Sequence, residues 1–369
     1  MSEAKNDLDI FLEFLQCHKS ALVIYGTGEA GRIICDCISN HMGYRIMHFI
    51  DRNIGGTCCG LPICGIETVS PDTGIIIAAD PAYGIEKRLE SIHLSNWIYM
   101  DPVFLNSYCR DENYIAKNKE LIRKHLKDIA RVKSLLCDQL SVKIFEEAIT
   151  QRTKPNLRNI NSFFDKGQYF GNDIIPQITG NIVDCGAFTG DTLARYLQQA
   201  ARNDWKYYAF EGDASNCKEI RRFADDNGIS ERVSVFNLAV WNKETVLTFD
   251  NPTGTNEMTS GRVNREQEDG IKVNAARLDH ILLTIDGTTN RVDLITMDIE
   301  GAEPNALLGA REIIETYHPA LAISIYHETE HLWKIPLMIH EMDQNYRLYI
   351  RHHRWNIADT VCYAIRSGR

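Results

Sequence analysis

The sequence lacks the features of a membrane or secreted protein. Its longest apolar runs, near Gly74–Ala79 and Ala320–Tyr326, fall far short of the ~20 residues that a bilayer-spanning helix needs. The start, Met1–Asp9, is polar and acidic, and lacks the basic segment and apolar core of a secretory signal. The 11 cysteines are an odd number scattered through apolar segments, which favours reduced thiols. We therefore expect no membrane span and a cytoplasmic location.

Basic residues are also in short supply. The chain has 40 Lys and Arg against 50 Asp and Glu, for a formal charge of −10. Because nucleic-acid binding depends largely on basic surface, we expect a small-molecule partner and no nucleic acid. With 44% hydrophobic and 24% charged residues the 369-residue chain has the composition of a folded protein, and its length allows two domains.

The first hundred residues alternate between strand and helix patterns. This alternation predicts a parallel sheet, so we interpret residues 1–104 as a small Rossmann-like α/β domain. Apolar residues at helical spacing between Ile122 and Leu136 predict a helical connector over residues 105–168. The candidate strands of the first domain are Ala21–Tyr25, Ile46–Ile50, Gly74–Ala79 and Trp97–Met100.

The alternation then repeats at greater length in residues 169–369. It predicts a seven-stranded, mostly parallel sheet, with an antiparallel strand near one edge because the last two strands follow each other without a long helix. Ligands of such sheets bind at the carboxyl ends of the strands. The candidate strands are Ile182–Cys185, Lys206–Phe210, Val233–Leu238, Leu294–Met297, Ala320–Tyr326, Tyr346–Arg351 and Thr360–Ile365.

A glycine-rich motif follows the first predicted strand of the N-terminal domain. Gly26, Gly28 and Gly31 fit G-x-G-x-x-G, and Asp51 lies 20 residues further on, at the end of the next strand. Such glycines let the backbone approach a pyrophosphate at a helix N-terminus, while the acid holds a ribose hydroxyl. The motif predicts a nucleotide site, and the alternative is a tight strand-to-helix turn with nothing bound.

A second glycine-rich turn follows Ile182–Cys185, and carboxylates flank it. Asp184 and Asp191 lie on either side of the turn, and Glu211 ends the next strand. Two nearby acids would repel a pyrophosphate, but they suit a ligand that carries both an ammonium group and a ribose. The turn therefore favours S-adenosylmethionine over a dinucleotide.

A third cluster of acids follows the strand Leu294–Met297. Asp298 and Glu300 stand where the reacting end of a ligand should lie, so we interpret them as candidate catalytic residues and as candidate ligands of a divalent metal. Glu303 begins the following helix, and we interpret it as a first-turn acid that stabilises the helix dipole.

Ordered motifs in the second domain resemble one known family. They resemble the FkbM family of S-adenosylmethionine-dependent methyltransferases, from about residue 140 to the end of the chain. The resemblance implies a class I methyltransferase fold and O-methylation of a sugar or natural-product hydroxyl. The motifs are Val183–Thr192, Phe210–Asp213, Met297–Glu303, Ser324–His327, Leu332–Pro336, Tyr169–Phe170 and Tyr349–His353.

The resemblance also implies a role for individual residues. Glu211 would hold the ribose, and Asn237 would flank the adenine where many class I enzymes have an acid. The residues implied for the methionine end are Asp184, Gly186, Gly190 and Asp191, and the rest of the cofactor set comprises Ala187, Gly212, Leu238, Ala239 and Asp298.

The N-terminal domain shows a shorter resemblance of its own. Ile24–Gly28, Phe49–Asp51 and Gly60–Ile63 are similar to the nucleotide-sugar-binding domains at the front of some glycan-modifying acyltransferases. That resemblance implies a nucleotide or nucleotide sugar as ligand at Gly26–Gly31.

His327 and His331 form an H-E-x-x-H sequence, which on a helix would bind zinc in a peptidase. Because His327 directly follows the strand Ala320–Tyr326, we disfavour that interpretation. His327 is instead a candidate general base for a hydroxyl acceptor, and the alternatives are a metal at Asp298 and Glu300, or a histidine that binds substrate or caps a helix.

The sequence thus predicts an S-adenosylmethionine-dependent O-methyltransferase that acts on a sugar, nucleotide sugar or glycan-like small molecule in polysaccharide biosynthesis. Two alternatives stay open. The first is an NAD-dependent sugar oxidoreductase or epimerase that uses the N-terminal glycine motif, and the second is a non-catalytic binding protein of glycan assembly. Homo-oligomerisation is left open as well.

Overall fold

A computed structural model of the protein describes residues 5–79, 84–178, 180–199, 204–249, 270–285 and 291–366. The chain divides into two compact units. Unit 1 comprises residues 1–125, 146–164 and 354–358, and unit 2 comprises residues 126–145, 165–353 and 359–369. No helix within the described ranges is both long and apolar enough to cross a membrane.

The strands and helices are numbered here in chain order. The strands are β1 (Leu22–Tyr25), β2 (Ile46–Ile50), β3 (Thr57–Cys58), β4 (Leu61–Cys64), β5 (Gly74–Ile77), β6 (Trp97–Tyr99), β7 (Ile182–Cys185), β8 (Tyr207–Phe210), β9 (Val233–Phe236), β10 (Ala239–Val240), β11 (Thr245–Phe249), β12 (Ile271–Ala276), β13 (Leu294–Met297), β14 (Ala320–Ser324), β15 (Tyr346–His352) and β16 (Thr360–Arg366). The helices are α1 (Asp7–Cys17), α2 (Glu29–Asp36), α3 (Ile85–Ser91), α4 (Pro102–Arg110), α5 (Tyr114–Lys124), α6 (Leu126–Leu135), α7 (Gln139–Gln151), α8 (Leu157–Asn161), α9 (Asp191–Gln199), α10 (Ala214–Asp226), α11 (Leu278–His280), α12 (Glu303–Gly309), α13 (Arg311–Tyr317) and α14 (His331–Met342).

Unit 1 is built on a six-stranded sheet with the strand order β3-β4-β2-β1-β5-β6. All pairings except β3 with β4 are parallel, as the alternation of strands and helices predicts. The four predicted strands are present. The short hairpin β3-β4 was not predicted, because β3 has only two residues and Pro62 stands inside β4.

One buried carboxylate joins distant parts of unit 1. Asp101 caps helix α4, because its Oδ1 accepts hydrogen bonds from the backbone N–H groups of Val103 and Phe104, both at 2.9 Å. Its Oδ2 accepts the N–H of Ile357 at 2.7 Å. Burial raises the pKa of Asp101 to about 6. These bonds explain why residues 354–358 belong to unit 1.

Unit 2 is built on a seven-stranded sheet with the order β15-β16-β14-β13-β7-β8-β9. Strands β9, β8, β7, β13 and β14 run parallel, whereas β16 is antiparallel to both of its neighbours. The strands β7, β8 and β13 are buried along their whole length, which is typical of parallel strands covered on both faces. The seven predicted strands and the antiparallel strand near the edge are confirmed.

The register brings the carboxyl ends of the central strands into line. Cys185 at the end of β7 pairs with Phe210 of β8 and with Met297 of β13, and Met297 pairs with Ile323 of β14. The residues that follow these strand ends therefore lie at one edge of the sheet.

Unit 2 also contains a three-stranded sheet that was not predicted, with the order β10-β12-β11. Strand β10 pairs parallel with β12, and β11 pairs antiparallel with β12. Its inner face forms a small apolar cluster around Trp241 and Phe249.

Residues 105–168 are largely helical, and their helices are divided between the two units. Helices α4 and α5 belong to unit 1, α6 belongs to unit 2, and α7 contributes to both units. The domain boundaries 1–104, 105–168 and 169–369 stay a prediction.

Candidate active site

The turn between β7 and α9 depends on two glycines with left-handed backbone. Gly186 has φ 82° and Gly190 has φ 89°. A Cβ on Gly186 would lie 2.1 Å from the backbone oxygen of Asp298, so a side chain is excluded there. Ala187 is buried within this turn, and Asp191 opens α9 on the exposed side. The turn therefore presses against the residue that follows β13.

Asp184 lies inside the sheet rather than in the open cleft. Its Oδ2 accepts a hydrogen bond from the hydroxyl of Tyr207 at 2.6 Å, and its Oδ1 accepts one from the hydroxyl of Thr296 at 2.7 Å. Burial raises its pKa to about 6, against the effect of these two donors. Asp184 thus ties β7 to both neighbouring strands, and a contact to the cofactor stays a prediction.

Glu211 lies directly after β8, at the sheet edge where a ribose was predicted. Its Oε2 accepts the N–H of Phe188 and its Oε1 accepts the N–H of Asp213, both at 2.8 Å. Burial raises the pKa of Glu211 to about 7. Phe188 itself has φ 45° and an exposed ring. The carboxylate therefore holds the glycine turn and the start of α10 together.

The predicted adenine side lies next to Glu211. The side-chain amide of Asn237 donates hydrogen bonds to the backbone oxygens of Glu211 at 3.0 Å and of Gly212 at 2.8 Å. Ala239 opens β10, where it pairs with Ala275 of β12. The structure thus brings Glu211, Gly212 and Asn237 together.

Asp298 and His327 meet at the ends of β13 and β14. The Nε2 atom of His327 lies 3.3 Å from Asp298 Oδ1 and 3.6 Å from Glu300 Oε2. His327 therefore faces both of the other residues predicted as catalytic, Asp298 and Glu300. Glu300 has φ 55°, an unusual backbone conformation for a residue with a side chain, and 39% of its side chain is exposed.

Glu303 completes this cluster from the opposite side of the imidazole. Its Oε1 lies 2.9 Å from His327 Nδ1, and its Oε2 lies 3.5 Å from His331 Nδ1. Glu303 is fully buried, and its Oε1 also accepts the N–H of Ile299 at 2.9 Å. The interpretation of Glu303 as only a first-turn acid was too narrow, because the chain fold brings the two histidines against it.

The carboxylates determine the charge of His327. Burial lowers its pKa, but Glu303, Glu300 and Asp298 together outweigh burial and raise the pKa to about 10. The pKa of Asp298 is raised too, to about 7, but here burial is the cause and the nearby His327 opposes it. At neutral pH both ring nitrogens of His327 are therefore protonated in the ligand-free protein, and the ring is positively charged.

Two tyrosines that were given no role in the sequence analysis orient Asp298. The hydroxyl of Tyr169 donates to Asp298 Oδ2, and the hydroxyl of Tyr326 donates to Oδ1, both at 3.0 Å. Tyr326 ends the predicted fifth strand, but Tyr169 lies 129 residues before Asp298, so no local pattern connects them.

The H-E-x-x-H sequence does not form a zinc-peptidase helix. Helix α14 begins at His331, so His327 lies before it. Burial lowers the pKa of His331 to about 4, which keeps its ring neutral. The two histidines therefore do not lie on one helix, as a zinc-peptidase motif would require.

Comparison with known proteins identifies this part of the chain. The family model described as the methyltransferase FkbM domain matches residues 184–354. The chain carries an FkbM methyltransferase domain. The matched segment contains the glycine turn, Glu211 and the Asp298–His327 cluster. The predictions of this family and of an S-adenosylmethionine-dependent methyltransferase are confirmed.

One solved structure is similar to most of the chain. An FkbM methyltransferase from Methylobacillus flagellatus KT is 18% identical, with a TM-score of 0.63, and the match covers 95% of this chain and 92% of that chain. This likeness confirms the predicted fold class. No curated protein matches the sequence.

Two other solved structures are less similar. A putative O-methyltransferase from Klebsiella pneumoniae has a TM-score of 0.32 at 12% identity, covering 69% of this chain and 98% of that chain. Fibrillarin from Aeropyrum pernix, in complex with natively bound S-adenosyl-L-methionine, has a TM-score of 0.33 at 10% identity, covering 53% and 70%. At these scores the likeness supports no conclusion about this chain.

The glycine motif of unit 1 lies outside the matched FkbM domain. Gly26 has φ 114°, and a Cβ on Gly31 would lie 2.1 Å from the backbone oxygen of Gly26. Asp51 holds this turn, because its Oδ2 accepts hydrogen bonds from the backbone N–H of Thr27 at 3.1 Å and from its hydroxyl at 2.8 Å. The structure brings Gly26, Gly31 and Asp51 together, with Gly28 before α2.

A cleft of ≈ 340 Å³ opens beside this turn. Arg32 of α2, Thr27 and Thr57 contribute polar side chains to it, and Asp51 is not among its lining residues. The lining residues are Thr27, Arg32, Thr57, Cys58, Cys59 and Ile63. A guanidinium at the start of a helix suits an anionic ligand.

Proposed function

We propose that the protein is an O-methyltransferase that transfers the methyl group of S-adenosylmethionine to a hydroxyl of a sugar, nucleotide sugar or glycan-like small molecule. One observation carries the proposal. Within the FkbM domain, Glu211 follows β8 and Asp298 follows β13, so both lie at the same edge of the sheet. Glu211 is the acid proposed to bind the ribose, and Asp298 with His327 forms the pair proposed to act on the acceptor proton. A donor and an acceptor bound at this edge would meet between them.

The proposed cofactor contacts follow from the geometry of the glycine turn. Each oxygen of Glu211 accepts one backbone N–H, and a carboxylate oxygen has a second lone pair that can accept a ribose hydroxyl. Asn237 holds the backbone of Glu211 and Gly212 on the adenine side. Asp191 and Asp298 are the carboxylates that we assign to the methionine end, with Asp184 as the residue that fixes the turn.

The proposed reaction needs little activation of the donor but some activation of the acceptor. The acceptor oxygen attacks the sulfonium methyl carbon, the carbon–sulfur bond breaks, and its electron pair stays on sulfur. The proton of the acceptor hydroxyl must be removed. His327 is already protonated on both ring nitrogens at neutral pH, so it cannot accept this proton. We therefore assign the proton acceptor to Asp298, whose pKa of about 7 suits this role, and assign a supporting positive charge to His327.

The proposed acceptor class is tested by labelled methyl transfer. The intact chain is incubated with methyl-labelled S-adenosylmethionine and with separate pools of nucleotide sugars, free oligosaccharides, catechol-type phenols and amines. The proposal predicts label in a sugar pool, and label only in phenols or amines would contradict it. Asp298→Asn should lower the transfer at least tenfold, whereas the exposed Glu219→Gln on α10 is the matched control.

We propose a nucleotide or nucleotide sugar as the ligand of unit 1. The closed glycine turn and the cleft with Thr27 and Arg32 support this second site. A titration with UDP, GDP, their sugar conjugates and NADH separates the candidates. Binding of NADH with no response to S-adenosylhomocysteine would favour the oxidoreductase alternative. Cofactor affinity that Glu211→Ala leaves unchanged would favour the non-catalytic alternative.

A further inference from the structure

We propose that His327, Asp298 and Glu300 bind one divalent cation, and that Glu303 is the positioning residue that orients His327 for this purpose. The binding of the cation does not depend on the proposed function. Only its role in catalysis rests on the proposed methyl transfer.

The two nitrogens of His327 face different partners. Nδ1 faces the fully buried Glu303 at 2.9 Å, while Nε2 faces Asp298 at 3.3 Å and Glu300 at 3.6 Å. A histidine that binds a metal commonly donates its other ring N–H to a carboxylate, which fixes the tautomer and the ring orientation. Glu303 stands in that relation to Nδ1, so Nε2 is the ligand atom.

The charge of the cluster is not balanced by basic side chains. In the described part of the chain, the ion pairs of Asp298, Glu300 and Glu303 are formed with His327 and His331, and none involves Lys or Arg. Three carboxylates around one imidazole leave an excess of negative charge that a divalent cation would neutralise.

Glu303 is less suited than Glu300 to bind the cation. Asp298, Glu303 and His327 offer ligand atoms within 4.8 Å of one another, whereas Glu300 is placed by its 3.6 Å distance to His327 Nε2. However, Glu303 Oε1 already accepts the N–H of Ile299, and Glu303 lies on the Nδ1 side of the ring. Glu300 lies on the Nε2 side and is partly exposed, which leaves a route for the ion from solvent.

The ligand set indicates the class of ion. Two carboxylates and one imidazole nitrogen suit Mn²⁺, and Mg²⁺ prefers oxygen ligands and keeps more of its water. An acceptor hydroxyl bound to such an ion would lose its proton more readily. With the ion bound, Asp298 and a His327 that has lost its Nε2 proton would be ligands instead of the proton acceptor and the positive charge assigned to them above, and the acceptor proton would pass to solvent.

The test is a titration of the intact chain with Mn²⁺, in which electron paramagnetic resonance measures the concentration of free Mn²⁺. We expect one site per chain. Asp298→Asn and His327→Ala should abolish binding, and Glu300→Gln should weaken it at least tenfold. Glu303→Gln should weaken it about 10- to 100-fold, the effect typical of losing a carboxylate behind a metal-binding histidine. The exposed Glu312→Gln on α13 is the control, and circular dichroism verifies folding of each variant.

Two outcomes would overturn the inference. The first is the absence of Mn²⁺ binding, or Mn²⁺ binding that Asp298→Asn leaves unchanged in a folded protein. The second is unchanged binding in Glu300→Gln together with complete loss in Glu303→Gln, which would make Glu303 the ligand. A parallel titration with S-adenosylhomocysteine keeps the proposed function separate, because either ligand can bind when the other fails.

Discussion

At position 186 the backbone conformation and the neighbouring atoms both require glycine. Gly186 combines a positive φ with a carbonyl oxygen 2.1 Å from the place of a Cβ. We expect Gly186→Ala to lower the free energy of unfolding by about 3 kcal/mol, because strain and a backbone clash add. Gly228 is the matched control, since it has φ 65° but open space around it. Gly228→Ala should cost only about 1 kcal/mol in urea unfolding, and equal losses would contradict the clash.

Glu211 makes cofactor binding depend on pH. Burial raises its pKa to about 7, so it is mostly protonated below this pH and ionised above it. Ribose hydroxyls donate hydrogen bonds and so favour the ionised form. We expect the affinity for S-adenosylhomocysteine to rise about tenfold from pH 6 to pH 8, the change for one carboxylate with a midpoint near 7.

The control for this pH dependence is Glu211→Gln, which keeps the shape of the side chain but cannot ionise. Calorimetric titrations at several pH values should show a weaker affinity with a smaller pH dependence for this variant, in which Asp298 at the methionine end still titrates near pH 7. The same slope in the variant and in the unmodified chain would assign the pH dependence to another group.

The active-site residues show where sequence reasoning stops. Glu211, Asp298 and His327 were predicted because each directly follows an apolar strand, and strand ends of a parallel sheet share one edge. Glu303 and Tyr169 have no such signal. Their contacts with His327 and Asp298 arise only when separate elements pack, which a local pattern does not encode.

At the scale of elements, β15 is held to unit 2 by a buried arginine. Arg351 donates to Asp173 and to Asp138, with Nε 2.8 Å from Asp173 Oδ1 and Nη2 2.9 Å from Asp138 Oδ2. Its Nη1 also donates to the hydroxyl of Ser141 at 3.0 Å. The pair of carboxylates therefore attaches the start of α7 and the loop at Asp173 to β15.

We expect Arg351→Ala to lower the free energy of unfolding by about 2 kcal/mol, because it removes a buried guanidinium that donates to two partly exposed carboxylates and to the hydroxyl of Ser141. Arg347→Ala is the matched control on the same strand, since Arg347 is exposed and packs on the ring of Tyr349. The control should cost less than about 1 kcal/mol. Urea unfolding measures both, and similar losses would argue against the role of Arg351.

The elements that were predicted and those that were missed differ in length and pattern. The four buried residues of β8 form an uninterrupted apolar run, and those of β7 form one that only Asp184 interrupts, which is the signal of a central parallel strand. Strand β10 has two residues, and β12 carries Lys272 and Asn274 on its exposed face. Such short or mixed strands form because a partner strand is present, so their sequences alone do not reveal them.

At the scale of the whole molecule, two units each contain a glycine turn after a first strand. The FkbM domain accounts for the turn in unit 2. Reduced thiols and a cytoplasmic location stay predictions.

A substitution in one proposed ligand site should leave binding at the other site unchanged. We expect Arg32→Ala to weaken binding of a nucleoside diphosphate about tenfold, because it removes a charge-assisted contact in the unit 1 cleft. The same variant should bind S-adenosylhomocysteine with unchanged affinity. Calorimetry with both ligands measures this, and unchanged nucleotide affinity would exclude the cleft as the nucleotide site.

The central claim is that the edge formed by β7, β8 and β13 binds the methyl donor. Calorimetric titration with S-adenosylhomocysteine of the unmodified chain and of Glu211→Ala tests it most directly, with Glu219→Ala as the exposed control. We predict one site per chain, at least tenfold weaker binding in Glu211→Ala, and no change in the control. Absence of binding to the folded, unmodified chain, or equal affinity in Glu211→Ala, would contradict the claim.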